Sequence, residues 1–453
     1  MNPIKMARKY TIDFCNGPLF SKIILFTIPL VSSLLLLLAF NTADYIVVGR
    51  YASSRALAAV GATSSLTNLL TMFFFGLSVG GNVVAGNAFG AKDYALLKNT
   101  ARTSLSVSIV GGIGLGILGI AVSPLLLRMM NTPEEILPLS IKYMRILFCG
   151  MLFTSAYTFG SAFLRAVGDT RRPLIFLSIA GVVNVGLNLV FVICFHMDVD
   201  GVALATVISK GMSAFLVWNA IGHMEEVNGL PLRKLRINWD ILKRMLGIGV
   251  PSGLQSFSFN IANIFIQTSM NSFGAVALAG NTAALSIEHL LSTVGSGFHQ
   301  TAISFAAQNV GGRKFARLKK GTVYCCVTSS VTVLVISMIM LVFGRQLLSM
   351  FTTSNQDVIK WGMVRMMTTF PFYFAGGLMN ALTGAMRGSG HSTAAFVVVL
   401  VGACIFRILW ILLVFPHYRT MRVLYMAFSI SWVLISIGCM LFLWRAFKML
   451  PAK

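Results

Sequence analysis

LAAVGATSSLTNLLTMFFFGLSVGGNVVAGNAFGAKDYALLKNT, residues 57–100, can be laid on LAGNTAALSIEHLLSTVGSGFHQTAISFAAQNVGGRKFARLKKG, residues 278–321, without a gap. Leu57, Leu69, Gly76, Ala85, Gly90 and Lys98 fall on Leu278, Leu290, Gly297, Ala306, Gly311 and Lys319. Lys92 meets Arg313, and Tyr94 meets Phe315. Both copies are long apolar stretches closed by glycine and basic residues. An apolar chain built from two related halves points to a transporter, because two similar bundles can rock about a shared central site.

Composition sets the class. The 453 residues are 56% hydrophobic and only 11% charged, against about 25% charged in a soluble domain. Apolar runs of 18 or more residues read as membrane helices, since lipid offers the backbone no hydrogen-bond partner but itself. Twelve spans fit, over residues 21–45, 56–88, 101–127, 138–164, 174–195, 201–221, 241–269, 276–308, 322–343, 359–385, 394–415 and 424–444. The expected fold is an all-α integral membrane protein of two pseudo-symmetric six-helix lobes, residues 1–221 and 241–453, joined by a polar linker at 222–240.

The net charge of +23 raises nucleic acid as a partner, but the charges sit in short loops between apolar runs, not on one soluble face. They fix topology instead. With both termini in the cytoplasm, Lys92, Lys98, Arg171, Arg172, Arg313, Lys319, Lys320, Arg445 and Lys448 lie inside, where they meet anionic lipid. Glu134, Glu135, Asp198, Asp200 and Asp357 lie outside. A multi-pass membrane location is expected. The seven cysteines show no metal-ligand spacing, and no glycine-rich phosphate loop is present. No cofactor or resident metal is expected, and the chain is expected to act as a monomer. An enzyme would need clustered catalytic acids or histidines, but the 13 acidic residues fall mostly in loops.

Several residues stand out on their chemistry. Asp44, in AFNTADYIVVG, sits near the outer end of the first span. A carboxylate there is costly unless it meets water, a cation or a partner. It can bind a proton or a hard cation, or it can simply cap the loop. Asn184 and Asn188 lie four apart and share a helix face. Lys210 follows Thr206 by one turn, deep in the sixth span, and wants an anion. It either faces Asp44 as a tethered cation or snorkels to water. Glu288 and His289 lie inside the eighth span, with His299 and Gln300 further along. They line a cavity or hydrogen-bond across helices. Arg407, buried in the eleventh span, is read as a structural charge with an acidic or carbonyl partner. Arg165 and Arg387 end the fourth and tenth spans and are read as structural. Phe73, Phe74 and Phe75 are candidate cavity residues, set against plain packing.

An ordered set of segments carries a family resemblance. The first half has IPLVSSLLLLLAFNTADYIVVGR, NAFGAKDY, LRAVGDTRRP, NVGLNLVFVI and GVALATVIS. The second has GVPSGLQS, ALAGNTAALSIEHLL, FAAQNVGGRKF, AMRGSGHST and IFRILWILLVFP. In that order they resemble the multidrug and toxic compound extrusion (MATE) family across nearly the whole chain. The resemblance implies two lobes related about the membrane normal and export of organic cations driven by sodium or protons. It implies that Asp44 is the N-terminal lobe's coupling aspartate and that Thr206 matches a threonine of sodium-linked members. Two departures shift the expectation. Asn188 stands where the family commonly has aspartate, and Lys210 where a neutral amide is frequent. Both make the region more positive, away from a bound sodium at Asp44 and toward protons. The rival reading is a flippase for a lipid-linked precursor, which wants a cationic cavity; Lys210 and Arg407 are its support.

Overall fold

A computed structural model of the chain describes residues 11–227, 236–351 and 356–449. Residues 228–235 of the expected linker lie outside the described residues. The described residues are helical with no strands. Long helical segments follow one another in the order read from the sequence. In the first half they are α1 (Leu19–Tyr51), α2 (Ser54–Gly90), α3 (Tyr94–Met129), the bent α4 (Leu137–Cys149 and Met151–Ala166), α5 (Arg171–Leu189) and α6 (Val199–Gly222). In the second half come α7 (Trp239–Asn271), α8 (Ala275–Gly311), α9 (Phe315–Val342) and the broken α10 (Gln356–Thr369 and Tyr373–Gly388). The interrupted α11 is Ser392–Val414, and α12 is Met421–Lys448.

The duplication is written into the helices. α1 and α7 both have 33 residues, and α2 and α8 both have 37. α2 and α8 end alike, with Lys92 and Arg313 at φ of 58° and 53°. The links before α5 and α11 turn alike too, through Gly168 and Gly390 at φ of 90° and 88°. That left-handed backbone is open to glycine at little steric cost, which explains the glycine in GDT and in GSG. In the first link Asp169 accepts from the backbone N–H of Arg171 and Arg172 and caps α5. Burial pushes its carboxyl up from the ordinary value, and the neighbouring Arg172 pulls it back. α4 bends by 47° at Gly150. α10 breaks at the matching place through a 3₁₀ turn, Phe370–Phe372, whose Pro371 has no N–H to give the helix.

Among the described residues, eight helices are long and apolar enough to cross a membrane, nine with bent α4 counted as one span. Side chains such as Ile117, Val182 and Phe215 stand 65%, 69% and 70% exposed on them. Apolar residues so exposed suit lipid, not water. The long helices α7, α8 and α10 are more polar, and the reason is visible inside. They bury Gln255, Asn281, Glu288, Gln300, Arg365 and Arg387.

The chain divides into two compact units. The N-terminal unit comprises Ile28–Gly249 with residues 11–13. The C-terminal unit comprises Phe14–Thr27 and the chain from Val250 onward. Both boundaries therefore fall inside helices, within two residues of Pro29 in α1 and of Pro251 in α7. In the N-terminal unit, Phe74, Leu127, Met144, Phe148, Met151 and Met245 form one buried cluster. Phe74 is thus a core side chain, 1% exposed, and packs edge-on against Phe73. The expectation that it lines a cavity gives way to core packing; Phe73 and Phe75 are half-buried.

Candidate functional site

In the N-terminal unit, five of the polar residues picked from sequence come together. Phe40 on α1 sits against Gly181 on α5, where any Cβ would run into its ring. One turn further along α1, Asp44 reaches α5, and the Asn188 side-chain amide donates to its carboxylate at 2.5 Å. Asn184, Thr206 and Lys210 line the same small cavity as Asp44, joined by Ser209 and Ser213. The cavity holds about 40 Å³. A water molecule needs about 10–15 Å³ of such space, so there is room for a few waters or an ion.

Two details decide what this cavity can do. The Lys210 ammonium makes no direct ion pair with Asp44; it lies 5.5 Å from the centre of the Tyr157 ring, which offers a cation–π contact. Of the two charges, only the carboxylate has a hydrogen-bond donor on it. Thr206 spends its hydroxyl proton on the Val202 carbonyl of its own helix, leaving its oxygen lone pairs toward the cavity. The Asn188 side-chain oxygen is buried with no hydrogen-bond partner, an acceptor left unused. The small cavity therefore has a negative and a positive group on its wall, and the residue that holds the carboxylate keeps an unused acceptor.

In the C-terminal unit the polar residues form a different object. Glu288 on α8 is locked. The Arg365 guanidinium on α10 holds one carboxylate oxygen with Nε and Nη2, both at 2.7 Å. The Tyr373 hydroxyl donates to the other oxygen at 3.0 Å. Arg365 Nη1 also donates to the Asn281 side chain at 2.7 Å, and the Tyr425 hydroxyl donates to that same oxygen at 3.1 Å. Glu288 is thus the counter-ion of a buried arginine. Beside this network, Arg407 on the interrupted α11 donates from Nε and Nη2 to the Ser431 hydroxyl at 3.0 and 2.8 Å. The expectation of an acidic or carbonyl partner for Arg407 is corrected here: its hydrogen-bond acceptor is a neutral hydroxyl, backed by the face of Phe428 at 4.5 Å. These groups open on a cavity of about 280 Å³, with exposed His289 also on its wall.

Gln300 is buried on α8 and lines neither cavity. His299 meets the Asn380 carbonyl and the Arg387 guanidinium, and Arg387 also donates to Gln255. These contacts account for Arg387 as a packing residue. Sequence reasoning missed Arg365 and Asn281. Arg365, in GMVRMMTTF, was as conspicuous as Arg407, since an arginine inside a predicted span needs a polar partner. Asn281 gave no signal of its own.

The model of one family, MatE, matches the chain twice, at residues 29–190 and 251–413. The probable multidrug resistance protein YoeA of Bacillus subtilis is 29% identical, over 81% of this chain and 80% of its own length. YpnP of the same organism, also named a probable multidrug resistance protein, is 27% identical over 87% and 88%. Among solved structures, a MOP-superfamily transporter from Pyrococcus furiosus superposes with a TM-score of 0.89 at 22% identity, over 97% of this chain and 98% of that one.

Proposed function

The chain belongs to the MATE family, a family of membrane transporters, and from that premise we propose that it exports amphipathic organic cations in exchange for protons by alternating access. Asp44 is the coupling group. The observation that carries this reading is its cavity: a carboxylate hydrogen-bonded to Asn188, with room for an ion or water but not for a drug. A proton arriving there cancels a charge at a site built around charge. A conformational balance responds to such a change as far as the two states differ in their affinity for the proton. Lys210 in the same cavity repels sodium and so supports protons as the coupling ion. The names of the Bacillus relatives support drugs as cargo. The loop charges support both termini in the cytoplasm of a bacterial plasma membrane.

The test is dye efflux in inverted vesicles, with a proton gradient and a sodium gradient imposed separately. The native chain should run on the proton gradient alone, and Asp44→Asn should stop it. Dye movement that needs neither gradient and ignores the substitution contradicts the proposal.

A further inference from the structure

The cavity of the C-terminal unit has a charge left over. Glu288 is spent on Arg365, its two oxygens taken by Arg365 and Tyr373. Arg407 is 2% exposed and makes no direct ion pair among the described residues; its hydrogen bonds there go to Ser431 alone, and the nearby Glu288 is already bound to Arg365. Among the described residues Nη1 has no hydrogen-bond partner, yet it is not among the side-chain atoms sealed from space. Arg407 is part of the cavity wall. A lone guanidinium in the interior of a membrane bundle is expensive, and the cavity lining holds no acid besides Glu288. The walls beside it are rings: Phe259, Phe428, Trp432 and Tyr373.

We infer that this cavity is a binding site for an aromatic monocarboxylate, whose oxygens take the open side of Arg407 while its ring stacks among Phe259, Phe428 and Trp432. One uncompensated positive charge asks for a monoanion, not a phosphate. A volume of about 280 Å³ walled by rings asks for an organic ion, not a halide. A guanidinium meets a carboxylate by charge-assisted hydrogen bonds, and Nη1 of Arg407 still has its N–H groups to give. A cavity of this sign repels an ammonium group, so its occupant is an acid or the acid end of a zwitterion. The inference goes beyond the proposed cation antiport, and its test needs no gradient.

The probes are 2-naphthoate and its neutral partner 2-naphthamide, titrated into the detergent-solubilised full chain. Trp432 is the reporter, since it lies on the cavity wall and against Tyr373. Naphthoate should quench its fluorescence with about tenfold higher affinity than naphthamide, the ratio a single charge-assisted contact supplies. Trp432→Phe should remove the quench. Arg407→Gln should bring the ratio close to one and leave naphthamide binding as it was, which a folding defect would not do. Glu288→Gln, which uncovers a second guanidinium, should raise the ratio. If either variant fails to fold, Arg407→Lys keeps the charge and should keep the preference for the acid in part. Equal affinities for acid and amide in the native chain overturn the proposal, as does a preference that survives Arg407→Gln or a quench that survives Trp432→Phe. Efflux that fails to depend on Asp44 would overturn the antiport reading and leave this binding result standing.

Discussion

The two units share a helical plan and differ in what they do with charge. Laying α1 on α7 from their first residues puts Asp44 on Ile264. Laying α2 on α8 puts Thr67 on Glu288, and laying α5 on the start of α11 puts Gly186 on Arg407. None of the charges that matter has a charged counterpart. In the N-terminal unit an acid and an ammonium share a cavity without touching. In the C-terminal unit the acid is clamped by three hydrogen bonds from two side chains, and the excess charge is positive. Duplication supplied the frame twice; substitution at unmatched positions made one cavity ion-sized and loosely paired, the other drug-sized and rigid. A group that must gain and lose a proton needs the first environment. A group that only holds shape needs the second.

The contrast predicts unequal responses to the same kind of change. The largest is at Asp44: Asp44→Asn should reduce proton-driven efflux to background while the protein stays folded, read by transport beside thermal unfolding in detergent. Next comes Arg365→Ala, which strands Glu288 in the interior. Breaking a buried pair from one side costs about 3–5 kcal/mol, so the melting temperature should fall sharply. The double variant Arg365→Ala with Glu288→Gln should recover part of that fall, because no unpaired charge remains. Lys210→Gln should be milder still. It keeps the fold and takes away the cation that repels sodium, so a sodium gradient alone should begin to drive efflux. The smallest effect is expected at Gly181→Ala, where a methyl group presses on Phe40. Overpacking of that kind costs about 1–3 kcal/mol, and transport should weaken because α1 is pushed off α5 near Asp44.

Much of the frame was legible in the sequence because its cause is local. Apolar runs must become helices in lipid, and the repeat from Leu57 and from Leu278 showed in the residues that end each helix. The cluster of Asp44, Asn184, Asn188, Thr206 and Lys210 was legible because an intramembrane charge is rare and asks for company. What stayed hidden is partnership at long range. That Glu288 is held by Arg365, 77 residues away, depends on which faces of α8 and α10 meet, and spacing along one helix carries no record of that. Arg407 misled in the same way: its cost was visible, but the answer was the hydroxyl of Ser431 and the face of Phe428 on another helix. Phe74 misled from the other side, since core and cavity aromatics look alike until the packing is seen.

The claim that one carboxylate exchanges a proton and the other only holds shape can be read in a single measurement. If proton and drug compete through the same equilibrium, drug binding must lower proton occupancy. A cationic drug added to the purified chain in weakly buffered detergent solution should therefore release protons, followed with a pH indicator. The account predicts that release persists in Glu288→Gln and vanishes in Asp44→Asn. Release that survives at Asp44→Asn and disappears at Glu288→Gln would contradict it.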